Sequence, residues 1–458
     1  MFAPLVRWAL AATPADVPAY TLERARLQHI AGLGVLRTAR ATQAGRDCLA
    51  GPLNIGGSAA LLYSNHDDYL LAGRTGIGAL PAAWLARERS LADTLVDTVA
   101  ANEIGGRVGL AFANVHNPQA VDTRVPAIAA AVVYARARGL STAEATRLLE
   151  SAACGEPCPL HHVAFANAAR EVAVRIHTPG GEPSPATPGY PGALGGLGSV
   201  WFTNSLTLKR WPGTPWGNVA LDALHTILER HIKAAEKRLR PDQLDRIEFF
   251  GPSQLVQTER AAAEIHDPSA FAWSLSKSAS LLVGLHELSS AQLDPGSAGD
   301  KQRDIAALEP RITVAHDWKL TTQQAVHMAS RLAPVLGEHG AGSYFEAGRR
   351  FTPGLPQPAQ WWGILQQQPW NILRSLREPA NIESLALDAA CAVAFPIHVK
   401  LYTTRGGWWP ERRSTPSGWG PGMAAVAQAK HGDPAAVSAA MAASGDTPLG
   451  SWLDSLLA

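Results

Sequence analysis

Apolar residues recur at three- and four-residue spacing through most of the first 175 or so positions, which predicts a series of amphipathic helices. Ser141 is followed three residues later by Glu144, which is a capping-box pattern at a helix start. The alanine-rich stretch AIAAAVVYARA favours close helix packing, because small side chains let neighbouring backbones approach. The predicted helices cover residues 20–34, 58–62, 91–106, 125–139 and 142–153.

The pattern changes after TPGGEPSPATPGYPGALGGLG, residues 178–198, whose glycines and prolines predict a long loop or linker. Short β-prone runs (RIEFFGP, ITVAHDW and IHVKLYTT) then alternate with helical patterns at 216–238, 272–287 and 321–336, and the chain is helical again from about residue 420. We therefore predict a mainly α fold with an α+β part. A helical domain of residues 1–205 and 413–458 is interrupted by an α+β domain of residues 206–412.

Composition narrows the possible functions. The 458 residues are 46% hydrophobic and 17% charged, which fits a folded protein, and the formal charge of +1 provides no overall field for nucleic acid or an anionic membrane. The sequence contains no run of about 18 uncharged apolar residues, so we predict no membrane span. The apolar opening is interrupted by Arg7, so we expect a cytoplasmic protein. Four scattered cysteines predict reduced thiols.

The 14 tryptophans are the most unusual feature of the composition. Most are expected in the core, and a minority can line an apolar pocket. Three of them, Trp361, Trp362 and Trp370, belong to a segment near residues 337–390 that periodicity does not place.

Three short clusters carry candidate acid, base and anion-binding groups. In NHDDYLLAGRTG, two adjacent carboxylates, Asp67 and Asp68, precede Arg74, whose guanidinium can hold a carboxylate in a bidentate fork; solvated helix caps are the ordinary alternative. His116, in NVHNP, would by itself more often be structural. In LKRWPGTPW, Lys209 precedes a predicted helix, where its charge can hold an anion or a developing enolate, although Lys-Arg pairs are usually solvated.

A fourth cluster, CGEPCPLHH, places two thiols and two imidazoles within residues 154–162. Its spacing is compact and stiffened by Pro157 and Pro159, so one zinc ion bound by all four side chains would strain the loop. The spacing is also not the C-x-x-C of a redox pair. We therefore expect no metal and no stoichiometric zinc on elemental analysis.

Taken in order, these clusters resemble the MmgE/PrpD family, which includes 2-methylcitrate dehydratase and cis-aconitate decarboxylase. The resemblance covers most of the chain. The matching stretches are LVRWAL, AALLYSNHDDYLLAGRTGIGALPAAWLARE, VAANEIGGRVGLAF, VHNPQAVDTRVPAIAAAVVYARARGLSTAEATRLLESAA and LTLKRWPGTPWGNVALDAL. It implies a large helical domain and a smaller α+β lid around a cleft, a homodimer, and no metal or organic cofactor.

The same resemblance implies a lyase that dehydrates or decarboxylates a citrate-like acid by acid–base chemistry. The family's catalytic positions fall on Asp67, Asp68, His116 and Lys209, with His116 as the base or acid and Lys209 on the substrate carboxylate. The partner expected is therefore a small carboxylic acid, with no nucleic acid and no membrane.

The departures fall on the expected substrate-binding positions. Arg74, Cys158 and Thr214 stand where the decarboxylase pattern has histidine, lysine and histidine, whereas His161 matches the family's Pro-Leu-His; Arg210 completes the set. The site should therefore bind fewer carboxylates or use different proton chemistry. Two alternatives stay open: an isomerase or cyclase acting on a larger apolar substrate in specialised biosynthesis, and a non-catalytic binding protein on the same scaffold.

Overall fold

The computed structural model describes residues 2–70, 73–112, 119–154, 166–178, 194–263, 273–293, 299–332 and 394–457, with the single positions 362 and 366. Within these ranges the chain is mainly helical, and a smaller part combines helices with a mixed sheet. The predicted fold class, mainly α with an α+β part, is confirmed at this level. The domain boundaries stay predictions.

The first part of the chain is a series of helices, as the apolar spacing predicts. The capping box at residue 141 is confirmed: the Ser141 hydroxyl accepts a hydrogen bond from the Glu144 amide at 3.3 Å, and the Glu144 carboxylate accepts one from the Ser141 amide at 2.9 Å. The helices are α1 (Ala3–Ala11), α2 (Ala19–Ala39), α3 (Gln43–Leu49), α4 (Leu53–Ser64), α5 (Gly76–Ala83), α6 (Leu91–Phe112), α7 (Gln119–Ala137), α8 (Thr142–Ala153) and α9 (Ala166–His177).

Six strands in the described ranges form two sheets. A two-residue strand, β1 (Asp68–Tyr69), pairs antiparallel with β2 (Thr207–Leu208). The larger sheet has the order β4-β3-β5-β6, in which only the β3–β4 pair is parallel. Its strands are β3 (Leu244–Gly251), β4 (Ile312–His316), β5 (Ile397–Thr403) and β6 (Trp408–Arg413).

The remaining helices lie beside this sheet or pack against the helices of the first part of the chain. Those beside the sheet are α10 (Pro215–Ala235), α11 (Ser253–Ala263), α12 (Leu275–Leu285), α13 (Gln302–Leu308) and α14 (Trp318–Leu332). Those near the C-terminus are α15 (Met423–His431), α16 (Pro434–Ala442) and α17 (Leu449–Leu457). None of the helices in the described ranges combines the length and hydropathy that crossing a bilayer requires.

Buried apolar side chains form two cores. The first joins the early helices to α15, α16 and α17, and the second joins the four-stranded sheet to α10, α12 and α13. Residues from the β1–β2 ladder contribute to both, since Leu208 belongs to the first core and Tyr69 to the second. The ladder therefore lies where the two cores meet.

A buried ion pair fixes the chain that leads into β2. Glu103 and Arg107, both on α6 and both fully buried, are 2.5 Å apart. The Glu103 carboxylate accepts hydrogen bonds from the amides of Phe202 and Thr203 at 2.9 and 2.8 Å, and Arg107 donates to the Val200 carbonyl at 2.6 Å. Because every charged atom has a partner of fixed geometry, this pair sets the position from which β2 starts.

Candidate functional site

The β1–β2 ladder brings two of the predicted clusters into one buried site. Asp68 pairs with Leu208, and the Lys209 amide donates to the Asp67 carbonyl at 3.2 Å. Residues that are 142 positions apart in the chain therefore become neighbours. We call the resulting group the charge cluster; its members are Asp67, Asp68, Arg74, Lys209 and Lys430, and each is at most 9% exposed.

Asp67 is the most strongly paired member of the charge cluster. Arg74 holds both of its carboxylate oxygens, with Nε 2.5 Å from Oδ2 and Nη2 2.6 Å from Oδ1, and Lys209 Nζ lies 2.8 Å from Oδ1. Burial alone would raise the Asp67 pKa, but the charges of Arg74 and Lys209 outweigh burial and hold it well below its usual range. Asp67 is thus a permanent carboxylate, and the anion that Arg74 clamps is the protein's own.

Lys209 directs all three of its ammonium donors to Asp67 and Asn65. Besides Asp67, its Nζ donates to Asn65 Oδ1 at 2.9 Å and to the Asn65 carbonyl at 3.4 Å, and the side chain is 1% exposed. Burial, followed by the charge of Arg74, lowers the Lys209 pKa to about 8. Lys209 therefore carries its charge at neutral pH and loses it at a lower pH than a solvated lysine.

Asp68 is hydrogen-bonded to groups other than these ion pairs. Its Oδ2 accepts from Gln28 Nε2 at 3.0 Å and its Oδ1 from the Gly76 amide at 3.3 Å. A Cβ atom at Gly76 would lie 2.0 Å from Oδ2, so the carboxyl group packs directly against a position that only glycine can fill. Burial and the neighbouring Asp67 charge raise the Asp68 pKa to about 6. Asp68 can therefore gain or lose a proton near neutral pH.

Two further members of this region are not among the predicted site residues. Lys430, on α15, donates to the carbonyls of His66 and Asp67, and burial lowers its pKa to about 7. His66 Nε2 donates to the Arg210 carbonyl at 2.9 Å, while burial and the Lys430 charge lower the His66 pKa well below its ordinary value. A neutral His66 that bridges two segments is a structural group, and no motif around Lys430 marks it in the sequence.

Asn65 is the third residue that sequence reasoning missed. Its backbone is left-handed at φ +46°, a conformation that asparagine tolerates better than most residues. An ammonium group only donates, so Oδ1 must be the atom that faces Lys209, and Nδ2 then has no partner among the described residues. A buried amide donor is thereby left available beside the Lys209 charge.

A narrow cleft opens where the loop after Lys209 enters α10. Thr214 caps this helix, since its hydroxyl accepts from the Gly217 amide at 3.1 Å, and Ser274 caps α12 on the opposite wall. The space admits about one water molecule, so a substrate that bound here would require the walls to separate. The described lining residues are Pro212, Gly213, Thr214, Trp216, Gly217, Leu221, Leu255, Thr258, Glu259, Trp273, Ser274, Leu275 and Ser278.

Glu259 is the one ionisable side chain among the described lining residues of the cleft. Its carboxylate accepts from the Ser274 hydroxyl at 2.9 Å and from the Leu275 amide at 2.5 Å, so it is engaged at the start of α12. Gly213, on the other wall, donates its amide to the Asn65 carbonyl at 2.8 Å. The cleft wall and the charge cluster are therefore connected through Asn65.

The predicted site residues are thus only partly assembled in the described ranges. Asp67, Asp68, Arg74 and Lys209 come together; Thr214 lines the cleft instead. Arg210 does not belong to this group, because its guanidinium stacks 4.6 Å above the Trp211 ring and its Nη2 lies 2.9 Å from His225 Nε2. The remaining predicted residues lie outside the described residues; they are His116, Cys158 and His161. The tryptophan segment near 337–390 also lies outside them, except for positions 362 and 366.

Among the described residues, no group of three or more His, Cys, Asp or Glu side chains is placed to hold a metal ion. In comparisons with known proteins, the chain matches no family model and no curated protein.

Proposed function

We propose that this protein is a cofactor-independent lyase of the MmgE/PrpD type, which dehydrates or decarboxylates a carboxylate-bearing substrate by acid–base chemistry. The same proposal includes a homodimer and a cytoplasmic location. It rests on the ordered sequence motifs and on the chemistry of the charge cluster.

The observation that carries the proposal is the opposite displacement of two neighbouring pKa values. The pKa of Asp68 is raised to about 6 and the pKa of Lys209 is lowered to about 8. One buried group therefore contains a proton acceptor and a proton donor whose pKa values lie on either side of neutral pH. Groups whose environments move their pKa values toward the working pH are typical of acid–base sites, although structural ion pairs also shift pKa values. Here the shifted groups coincide with positions that the motifs had already indicated.

The roles follow from the contacts. When the cleft opens, the Asn65 amide presents a donor to an oxygen of the substrate beside the Lys209 charge, while Arg74 holds Asp67 and Asp67 in turn holds Lys209 in place. Asp68 is the described group able to accept a proton from carbon. In a dehydration, that proton leaves the carbon next to the carboxylate and the hydroxyl departs with a second proton as water. The sequence assigns this second proton to His116.

A second candidate function, an isomerase or cyclase for a larger apolar substrate, is favoured by the cleft wall. Trp216, Leu221, Leu255 and Trp273 line it, and neither lysine nor arginine is among its described lining residues. Such a wall suits an apolar group better than a second or third carboxylate. Because isomerisation and cyclisation release neither water nor carbon dioxide, the products distinguish the two candidates.

The test is turnover of a panel of acids by the purified protein, followed by proton NMR and by carbon dioxide release. The panel pairs citrate, 2-methylcitrate and cis-aconitate with long-chain hydroxy acids. We expect loss of water or carbon dioxide from at least one acid, and a fall in kcat/KM of about 100-fold or more in Lys209→Met. Lys400→Met, on β5, is the matched control and should keep wild-type activity.

Three results would count against this proposal. Equal activity of Lys209→Met and Lys400→Met would remove Lys209 from the mechanism. Rearranged product of unchanged mass would favour the isomerase. Tight binding of an acid without turnover would favour a non-catalytic binding protein.

A further inference from the structure

Lys430 enters the charge cluster from the other end of the chain. It lies on α15, which packs closely against α2: a Cβ atom at Gly34 would come 2.6 Å from the Lys430 carbonyl oxygen. That close approach lets the side chain extend to the start of β1, where only 9% of the residue is exposed. A glycine on α2 thus allows the ammonium to reach the carbonyls of His66 and Asp67.

The partners of this ammonium are peptide carbonyls rather than a carboxylate. Its Nζ donates to the His66 carbonyl and lies 3.5 Å from the Asp67 carbonyl, and within the described residues Lys430 has no ion pair within 4.0 Å. A buried cation without a directly paired carboxylate is costly, and an apolar side chain at this position would avoid that cost. The presence of lysine therefore calls for a role in the site.

The Lys430 charge acts on the carboxylates nearby. The charged groups that face it are Asp67 and Asp68, which favour its protonated form, and Lys209, which opposes it. His431 follows on the same helix but directs Nε2 to the Leu456 carbonyl at 2.8 Å. Because carbonyls do not neutralise the ammonium, its field reaches Asp68 and lowers the pKa that burial and Asp67 raise.

We infer that Lys430 is a positioning residue of the proposed active site: it fixes the main chain of His66 and Asp67 and places its positive charge near the Asp68 carboxyl group. The inference rests on the proposed function for its catalytic consequence. It adds a residue from α15 to a site whose described members the motifs placed in residues 65–76 and 208–216.

The first experiment compares Lys430→Met with Lys400→Met, using an acid from the panel that wild-type protein converts. Lys430→Met should lower kcat by about 10-fold or more with a smaller change in KM, since positioning of a proton-transfer group acts mainly after binding. Lys430→Ala should regain activity with added propylammonium but not with 1-propanol, which matches its size without the charge. Wild-type kcat in Lys430→Met, or equal rescue by both additives, would overturn the inference.

The second experiment needs no substrate. Carboxyl carbon-13 NMR of aspartate-labelled protein, with Asp68 assigned through Asp68→Asn, should show Asp68 titrating near pH 6 in wild-type protein and at higher pH in Lys430→Met. An unchanged titration in a variant that keeps its wild-type circular dichroism would overturn the inference, whether or not any acid is converted. If Asp68 shifts while the panel is not converted, the inference stands and the proposed lyase function fails.

Discussion

The guanidinium of Arg74 engages both oxygens of the Asp67 carboxylate, at 2.5 and 2.6 Å, and Lys209 donates a third hydrogen bond to the same group. Two cations therefore share one fully buried carboxylate. The three side chains together carry a surplus of one positive charge, which suits a site that receives an anionic substrate.

Removing Arg74 should destabilise the fold, because Asp67 would keep only one of its two cationic partners in a buried position. We expect Arg74→Ala to lower the free energy of unfolding by about 3–5 kcal/mol in urea titrations. In the double variant Arg74→Ala/Asp67→Leu, the loss should be smaller than the sum of the two single losses, since each single variant already removes the same Arg74–Asp67 ion pair. Additive losses would show that the two side chains act independently.

The proposed acid–base pair gives a bell-shaped dependence of kcat/KM on pH. Activity should rise through a limb near pH 6 as Asp68 ionises, and fall between about pH 7 and 8 as Lys430 and then Lys209 lose their protons. Asp68→Asn should remove the acid limb from whatever activity remains. A profile that is flat from pH 5 to 9 would contradict the assignment.

Asn65 offers a test of the unpartnered amide. Asn65→Asp keeps the size of the side chain and tolerates the left-handed backbone, but it replaces Nδ2 by an oxygen and places a negative charge beside Lys209. We expect kcat/KM to fall about 10-fold or more and its alkaline limb to move to higher pH, because the new charge favours the ammonium. Asn65→Gly, which fits the same backbone, should lose activity without that shift in the limb.

Thr214 should contribute through its cap even if it never contacts a substrate. Thr214→Ala removes the acceptor for the Gly217 amide and should cost about 1 kcal/mol of stability in urea titrations, whereas Thr214→Ser should keep most of it. Ser274→Ala removes the hydroxyl that caps α12 on the opposite wall, and it is the matched comparison. If Thr214→Ser loses as much stability as Thr214→Ala, the hydroxyl is not what holds the helix start.

Elements with a clear apolar period were predictable from the sequence, and the two-residue strands and β6 were not. The helix predicted at 142–153 matches α8, because its apolar spacing and its capping box agree. In contrast, β1 is two residues long and offers no period to read, and β6 contains Pro410 and charged residues that argue against a strand. An edge strand tolerates both, because one side of it needs no partner.

The candidate site was predictable only where its residues cluster in the sequence. Asp67, Asp68 and Lys209 stand out in short motifs, but their pairing depends on the β1–β2 register, which no local pattern specifies. Lys430 lies 363 residues beyond Asp67, in a helix of ordinary composition. Its role follows from tertiary packing alone.

The position of Lys430 also has a consequence for the order in which the protein forms during synthesis. Segments that carry the other members of the charge cluster leave the ribosome long before α15 does, and domains generally begin to fold from the N-terminal side. Until α15 docks against α2, the carbonyls of His66 and Asp67 lack their ammonium partner. We therefore expect nascent chains that stop before α15 to contain helices without a competent site.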